Sequence, residues 1–309
     1  MTILERLPSL LLGSSELGII YAIMALGVFI SFRTLNTPDM TVDGSFVLGA
    51  AVSAVLSVNG HSILGLILAF LAGALAGCVT SLLNTKLGIQ PLLAGILVML
   101  GLYSVNLRIM GNKPNIPLQK SRTIYNAPQL EFLGQFSQLI GSLVILIIIV
   151  LLLYGFLKTR LGLVLRATGD NENMVRASGV NTDLTKLIGL ALSSALVALS
   201  GAMIVQFQRF YDIQMGTGMV VIGLASVIIG EVVFGTKSLL RRLSAVVLGS
   251  VLYRIIIALA FEMGMPATDL KLVSAIIVAI ALSAPKIGSG LAKLKKRFPM
   301  GQNGGDSDA

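Results

Sequence analysis

Residues 136–157 read FSQLIGSLVILIIIVLLLYGFL, twenty-two residues without one Asp, Glu, Lys or Arg. A helix of about 20 apolar residues crosses the hydrocarbon core of a bilayer. In a soluble domain this stretch would have no polar face to turn to water. It is therefore a membrane span, and the chain around it repeats the pattern. Eight further apolar segments lie at 16–33, 42–58, 62–85, 89–110, 187–207, 217–235, 243–261 and 270–285. The 309 residues are 55% hydrophobic and 12% charged, with mean hydropathy +0.90. Soluble domains carry roughly 25% charged residues, so half that density cannot cover a water-facing surface. The expected fold is an all-α, polytopic transmembrane helix bundle of about 8–10 spans. Nine is the working number, with the first and seventh segments open to being re-entrant.

Two polar stretches interrupt the pattern. One, 111–135, holds Pro114, Pro117 and Pro128 and reads as a loop. The other, 158–186, separates the fifth and sixth segments. Placing 158–186 in the cytoplasm and alternating outward puts fifteen Lys and Arg on the cytoplasmic side and six on the other. That bias obeys the positive-inside rule. It sets the N-terminus outside and the C-terminus in the cytoplasm, which makes residues 1–286 the membrane domain. Residues 287–309 are expected to form a basic, then disordered, cytoplasmic tail.

The net charge of +9 follows from the same rule, and without Trp and with 6% aromatics the chain offers no base-stacking platform. Nucleic acid is therefore not an expected partner. One cysteine, Cys78, and one histidine, His61, build neither an internal disulfide nor a His/Cys metal site. Glu5, Arg6 and the interruption Ser14-Ser15-Glu16 speak against a cleaved signal peptide, so the N-terminus is expected to stay as a short interfacial helix.

Small residues recur inside the spans. Ala69, Gly73, Gly77 and Ser81 fall four apart on one helix face. Such a stripe serves either a dimer contact or close packing within the subunit, and the second is the commoner use. PDMTVDGS (38–45) and YDIQMGTG (211–218) each follow a long apolar span and lead into a small-residue helix. The preceding spans run in opposite directions, so an inverted repeat is one reading, and segments broken this way often lie near a transport pathway.

The polar stretch also contains RLGLVLRATGDNENMVRASGV (160–180). Asp170 or Asn171 is placed to cap a short helix ending at Gly179. Leu165-Arg166-Ala167-Thr168-Gly169-Asp170-Asn171, with Ala177-Ser178-Gly179-Val180, resembles the coupling loop of ABC importer permeases of the branched-chain amino acid and ribose type. In that family an Arg-Ala-x-Gly-x-Asn stretch precedes a short helix that docks into the ATPase subunit. GIIYAIMALG (18–27) looks like the family's opening span, and 38–50 looks like its next segment. Ribose-type members carry there a run similar to Pro-Asp-Leu-Ser-Val-Gly, and this chain departs by placing Asp43 before Gly44. The likeness covers about 17–285.

The resemblance implies the membrane-spanning subunit of an ATP-driven importer in the bacterial cell (inner) membrane. It implies an ABC ATPase subunit, an extracytoplasmic substrate-binding protein and a second permease copy as partners, with lipid around them. No cofactor is expected in this chain, because ATP would be bound by the partner. The substrate implied is a small solute, an amino acid, and by neighbourhood within the family an aromatic one. The coupling residues implied are Arg166, Gly169, Asp170, Asn171, Met174, Ala177 and Gly179, the two glycines permitting turns.

GEVVFGTKS (230–238) misses the phosphate-binding loop by one residue and ends a span instead of joining strand to helix. The chain is thus expected to be no enzyme and to draw energy from elsewhere. Charge at membrane depth is costly and marks function by default. Asp39, Asp43 and Glu231, with the amides Gln90 and Asn106, are the pathway candidates, while Arg254 is expected to snorkel or to pair with a backbone carbonyl. An ion-gradient transporter or channel, or a membrane scaffold, are the alternatives. The absence of a chain of buried acids weighs against the gradient-driven transporter, and the long 158–186 stretch, which suits a docking partner, weighs against the channel.

Overall fold

The computed structural model describes residues 3–118, 123–126 and 137–265, with isolated helical positions between 272 and 283. Helix α1 (Ile3–Val28) continues through a widened turn, Phe29–Thr34, where the Leu35 N–H reaches back five residues to the Ile30 carbonyl. Then follow α2 (Thr41–Val58), α3 (Ser62–Thr85), α4 (Pro91–Ile109), strand β1 (Asn115–Pro117) and α5 (Ser137–Lys158). Beyond them come α6 (Arg160–Asp170), α7 (Glu172–Ala177), α8 (Thr182–Gln208), β2 (Phe210–Asp212), α9 (Met219–Phe234) and α10 (Leu239–Glu262).

Among the described residues seven helices are long and apolar enough to span a membrane: α1 from Leu10, α2, α3, α4, α5, α8 and α10. Three expectations change. The first segment does not begin at 16 behind a separate interfacial helix. Ser14 and Ser15 turn their hydroxyls back onto the Leu10 and Leu12 carbonyls at 2.6 and 2.7 Å, so the polar cluster stays within a continuous helix. The seventh segment is α9, only 16 residues long, because 213–218 folds back before it starts. The stretch 111–135 is not loop throughout. β1 pairs antiparallel with β2, Ile116 opposite Tyr211, and 124–126 forms a 3₁₀ turn. The ninth segment, apart from its isolated positions, and the 287–309 tail lie outside the described residues.

Composition sorts the helices into interior and sheath. The apolar windows of α1, α2 and α8 are 83%, 72% and 78% buried, whereas that of α5 is 22% buried. The interior helices are rich in Gly, Ala and Ser. α5 is Leu- and Ile-rich and presents Leu151 and Leu152 outward. In lipid, apolar area alone drives no helix together, so backbones must approach closely to gain dispersion contact. A Cβ on Gly49 or Gly201 would overlap the backbones of Ala198 or Phe46. Gly73 and Gly77 lie against Ser194, Ala198 and Leu190 in the same way. The stripe on α3 therefore packs inside the subunit, against α8.

Hydroxyls lock these contacts. Ser193 and Ser200 of α8 donate to the Gly27 and Ile20 carbonyls of α1 at 2.7 and 2.9 Å, and Ser250 of α10 donates to Gly18 at 2.9 Å. Such bonds average about 0.6 kcal/mol within membranes, so they align helices more than they hold them. Arg254 neither snorkels nor takes a carbonyl in the way expected. Its guanidinium stacks 3.7 Å from the centre of the Tyr21 ring, a cation–π contact.

The two ends of the bundle differ. One carries the β1–β2 ribbon, and there Gln206 ties the end of α8 to α2, α3 and the 124–126 turn. That amide donates to Ser53 Oγ (2.9 Å) and the Ser62 carbonyl (3.0 Å) and accepts from the Ile124 N–H (3.0 Å). The other end gathers α6, α7, the 235–238 turn and most of the described Lys and Arg.

Replacing Gly73 with Leu is expected to lower stability by ~1–3 kcal/mol through overpacking against α8. Gly101→Leu, which meets open space, should change it by less than ~0.5 kcal/mol. Thermal unfolding of the two purified variants in detergent distinguishes them, and equal midpoints would refute the packing account.

Candidate coupling surface and interhelical cavity

The polar stretch at the basic end folds into two helices, one more than the sequence suggested. Thr159 caps α6, its Oγ1 accepting from the Gly162 N–H at 3.3 Å. Of the two candidate caps for the short helix, Asn171 is the one used. Its extended backbone (φ −156°, ψ 96°) breaks the helical path and its side chain accepts from the Met174 N–H at 3.1 Å. Asp170 is the last residue of α6. Helix α7 stops after Ala177, and Gly179 takes the left-handed conformation (φ +81°) that a helix end favours.

Gly169 does not make a turn. It lies inside α6 with its Cα face on the Thr34 carbonyl, where any Cβ would collide. The residue is small so that α6 can seat on the end of α1. Arg166, also on α6, lines a cavity beside Arg33, Thr34, Leu239 and Arg242.

Ion pairs fasten α7 to the start of α8. Glu172 accepts from Lys186 Nζ at 2.7 Å and from Arg176 at 3.1 Å. Arg176 also donates to Thr182 (2.9 Å) and Asp183 (3.4 Å). The Lys186 hydrogen bond is the main reason that the Glu172 carboxyl titrates below its ordinary range, with Arg176 assisting. The network leaves Met174 pointing away from the bundle, 56% exposed.

A second feature lies deeper. Asp43, one turn into α2, faces the start of α9. Its Oδ2 accepts from the Gly218 N–H and its Oδ1 from the Val220 N–H, both at 2.9 Å. A carboxylate there satisfies orphan amides and opposes the positive end of the helix dipole. Gly216 approaches the Asp43 carbonyl too closely for any side chain. The stretches 38–45 and 211–218, paired by sequence, thus meet in space. Beside them is a cavity of about 230 Å³ lined by Asp43, Met99, Tyr103, Asn106, Gly216 and Thr217. Asn106 is 1% exposed; its Nδ2 lies 3.4 Å from the Gly44 carbonyl and its Oδ1 has no partner among the described residues.

The five pathway candidates therefore separate. Asp43 and Asn106 share this cavity. Asp39 is buried in the link before α2, where Oδ1 accepts from the Thr41 N–H at 2.8 Å. Gln90 is exposed at the start of α4. Glu231 pairs with Arg33 at 2.9 Å near the basic end. Tyr103 and Thr217 escaped the sequence reading. Tyr103 stands three residues before Asn106 on one face of α4, which is the signal that points to it.

Seven apolar spanning helices among the described residues, a cavity between helices and a helix pair braced at one end are the build of a multi-pass membrane transport subunit. The chain belongs to the ABC transporter permease family described as "Branched-chain amino acid transport system / permease component", whose profile matches residues 10–282. Among its relatives is the tyrosine transport system permease protein of Clostridioides difficile (strain R20291). It is 41% identical over 282 residues, covering 91% of this chain and 93% of that protein. A protein of Rickettsia prowazekii (strain Madrid E) is 35% identical over 284 residues, covering 90% and 98%. The ribose import permease protein of Escherichia coli (strain K12) is 28% identical over 215 residues, covering 68% and 65%. The chain is accordingly a transport subunit of the bacterial inner membrane and not an enzyme. Membership implies an ATPase partner and a substrate-binding protein.

The depressed titration of Glu172 carries a sign. A carboxyl held below its unfolded value contributes stability above that value, and the contribution disappears as pH falls through the lower folded one. Protection of α7 amides against hydrogen exchange should therefore drop as pH falls below the ordinary Glu value of 4.5. Glu172→Gln should flatten that dependence. A wild-type profile already flat across the window would count against the network.

Proposed function

We propose that this chain forms the translocation pathway of an importer for an aromatic amino acid of the tyrosine type. Two copies enclose the pathway. The basic end faces the cytoplasm, which sets the N-terminus outside and the C-terminus inside. An ATPase, holding the ATP, docks on α7, and a binding protein delivers solute at the ribbon end. The observation that carries the reading is the bracing of α7: a two-turn helix capped by Asn171, ended at Gly179 and clamped by Glu172, Arg176 and Lys186, with Met174 left exposed. Six residues make too few helical bonds to offset nucleation, so the cap and the ion pairs are what hold α7 in shape. The 41% identity to a tyrosine transport permease supports the substrate class.

The geometry supports a route for coupling. Docking contacts fall to Asn171, Met174, Ala177 and Gly179. Movement of α7 reaches α6, whose Gly169 rests on the Thr34 carbonyl. The end of α1 then passes through the 35–40 link to α2, and Asp43 ties α2 to the start of α9 beside the cavity. ATP-driven approach of two docked subunits would thus reach the cavity through backbone contacts that lack slack.

Met174→Asp should weaken co-purification of the ATPase at least tenfold, as loss of a central apolar anchor does. Leu152→Ala, on the sheath face, should leave it unchanged. In vesicles holding the complete assembly, labelled tyrosine should accumulate only with ATP, and Gly169→Val should reduce uptake with docking retained. Accumulation driven by an ion gradient alone would overturn the importer reading. Uptake competed by other amino acids but not by tyrosine would overturn the substrate class alone.

A further inference from the structure

The sequence marks Arg166, and docking on α7 does not use it. On α6, Leu163, Arg166, Ala167 and Asp170 follow the i, i+3, i+4, i+7 spacing of one helix face. That face forms a wall of a cavity of about 310 Å³ at the basic end, with Arg33 and Thr34 from the end of α1 and Leu239 and Arg242 from the start of α10. Three guanidiniums thus converge from three elements. Two are anchored: Arg33 Nε donates to Glu231 at 2.9 Å, and Arg242 Nε donates to the Thr236 carbonyl at 3.0 Å. Arg166 Nε is buried and has no partner among the described residues. A buried N–H without an acceptor is costly, so the Arg166 Nε, at the wall of this cavity, is placed to donate to an acceptor held there.

Charge narrows the acceptor. Three guanidiniums face two carboxylates, Asp170 in the wall and Glu231 behind Arg33, which leaves one positive charge. A phosphodiester carries one negative charge and accepts from several N–H donors at once. Position narrows the source. The cavity lies where α1 and α10 reach the end of their spans, the level of lipid headgroups. Leu161 and Leu163 of α6 are 54% and 51% exposed, as on a helix lying in the membrane surface, and Leu163 stands at the cavity wall. Basic pockets between spanning helices on the cytoplasmic side bind anionic headgroups.

We propose that this cavity is a binding site for the phosphodiester headgroup of an anionic phospholipid, with Arg166 as its central donor and Arg33 and Arg242 flanking it. The bound lipid bridges α6 to α1 and α10, and Thr34, on which Gly169 rests, stands in the cavity wall. The chemistry is shared with free phosphate, and the depth and the exposed leucines select the lipid.

Native mass spectrometry of the full-length purified chain tests the site, with phosphatidylglycerol and phosphatidylcholine of matched acyl chains as probes. Wild type should retain one phosphatidylglycerol in preference to phosphatidylcholine, and millimolar inorganic phosphate should not displace it. Arg166→Gln should weaken retention about tenfold, the loss of a charge-assisted hydrogen bond. Arg242→Gln should weaken it in the same direction and serves if the first variant is poorly folded. Equal retention of phosphatidylglycerol by wild type and both variants would overturn the proposal, as would equal retention of phosphatidylcholine. Displacement by inorganic phosphate would overturn the lipid source.

Discussion

The structure depends on backbone-to-backbone contact between helices where side chains have been reduced to a hydrogen or a methyl. Around α8 this happens on two sides at once, with Gly49 of α2 and Gly73 of α3 both resting on Ala198. In water, burial of apolar area would supply the drive and larger side chains would serve. In lipid that drive is missing, and each ångström of approach is gained by omitting a side chain. The same rule produces the sheath, since α5 packs loosely inward and spends its Leu and Ile on the lipid.

A core so thin in side chains has little compliance, and that rigidity gives the helix ends their leverage. Gly169 on Thr34 and Gly216 on Asp43 are the same kind of contact moved to places where elements meet end-on. Each brings two backbones together without a flexible side chain between. Asp43 joins them, because a carboxylate bonded to two amides of α9 makes the start of that helix move with α2. Polar groups that would be liabilities in lipid, Ser193, Ser200 and Gln206 among them, are spent in the same way, on backbone carbonyls of neighbouring helices.

Charge is used differently at the basic end. Around α7 it is balanced and inward, Glu172 satisfied by Lys186 and Arg176. Around α6 it is left unbalanced, the Arg166 Nε having no acceptor among the described residues and Arg33 and Arg242 lining the same cavity. One patch holds the short helix α7 in shape and the other gathers three arginines around a cavity, and the eleven residues of α6 adjoin both.

Much of this was legible in the chain itself. Long apolar runs dictate spanning helices because an unpaired backbone has no partner in lipid. The Asn171 cap and the Gly179 stop were readable because capping is local and carries residue-specific chemistry. The inward use of the Ala69–Ser81 stripe was legible as a preference. Tertiary structure alone decided the rest. That α9 is a 16-residue helix seated on Asp43, that 111–135 yields a strand for Tyr211 to pair with, and that Gly169 is a seat and not a turn all rest on contacts between segments far apart in sequence. Local composition fixes which stretches are helical and which leave the membrane. Which glycine meets which carbonyl depends on how seven nearly equivalent cylinders are arranged, and no single segment carries that information.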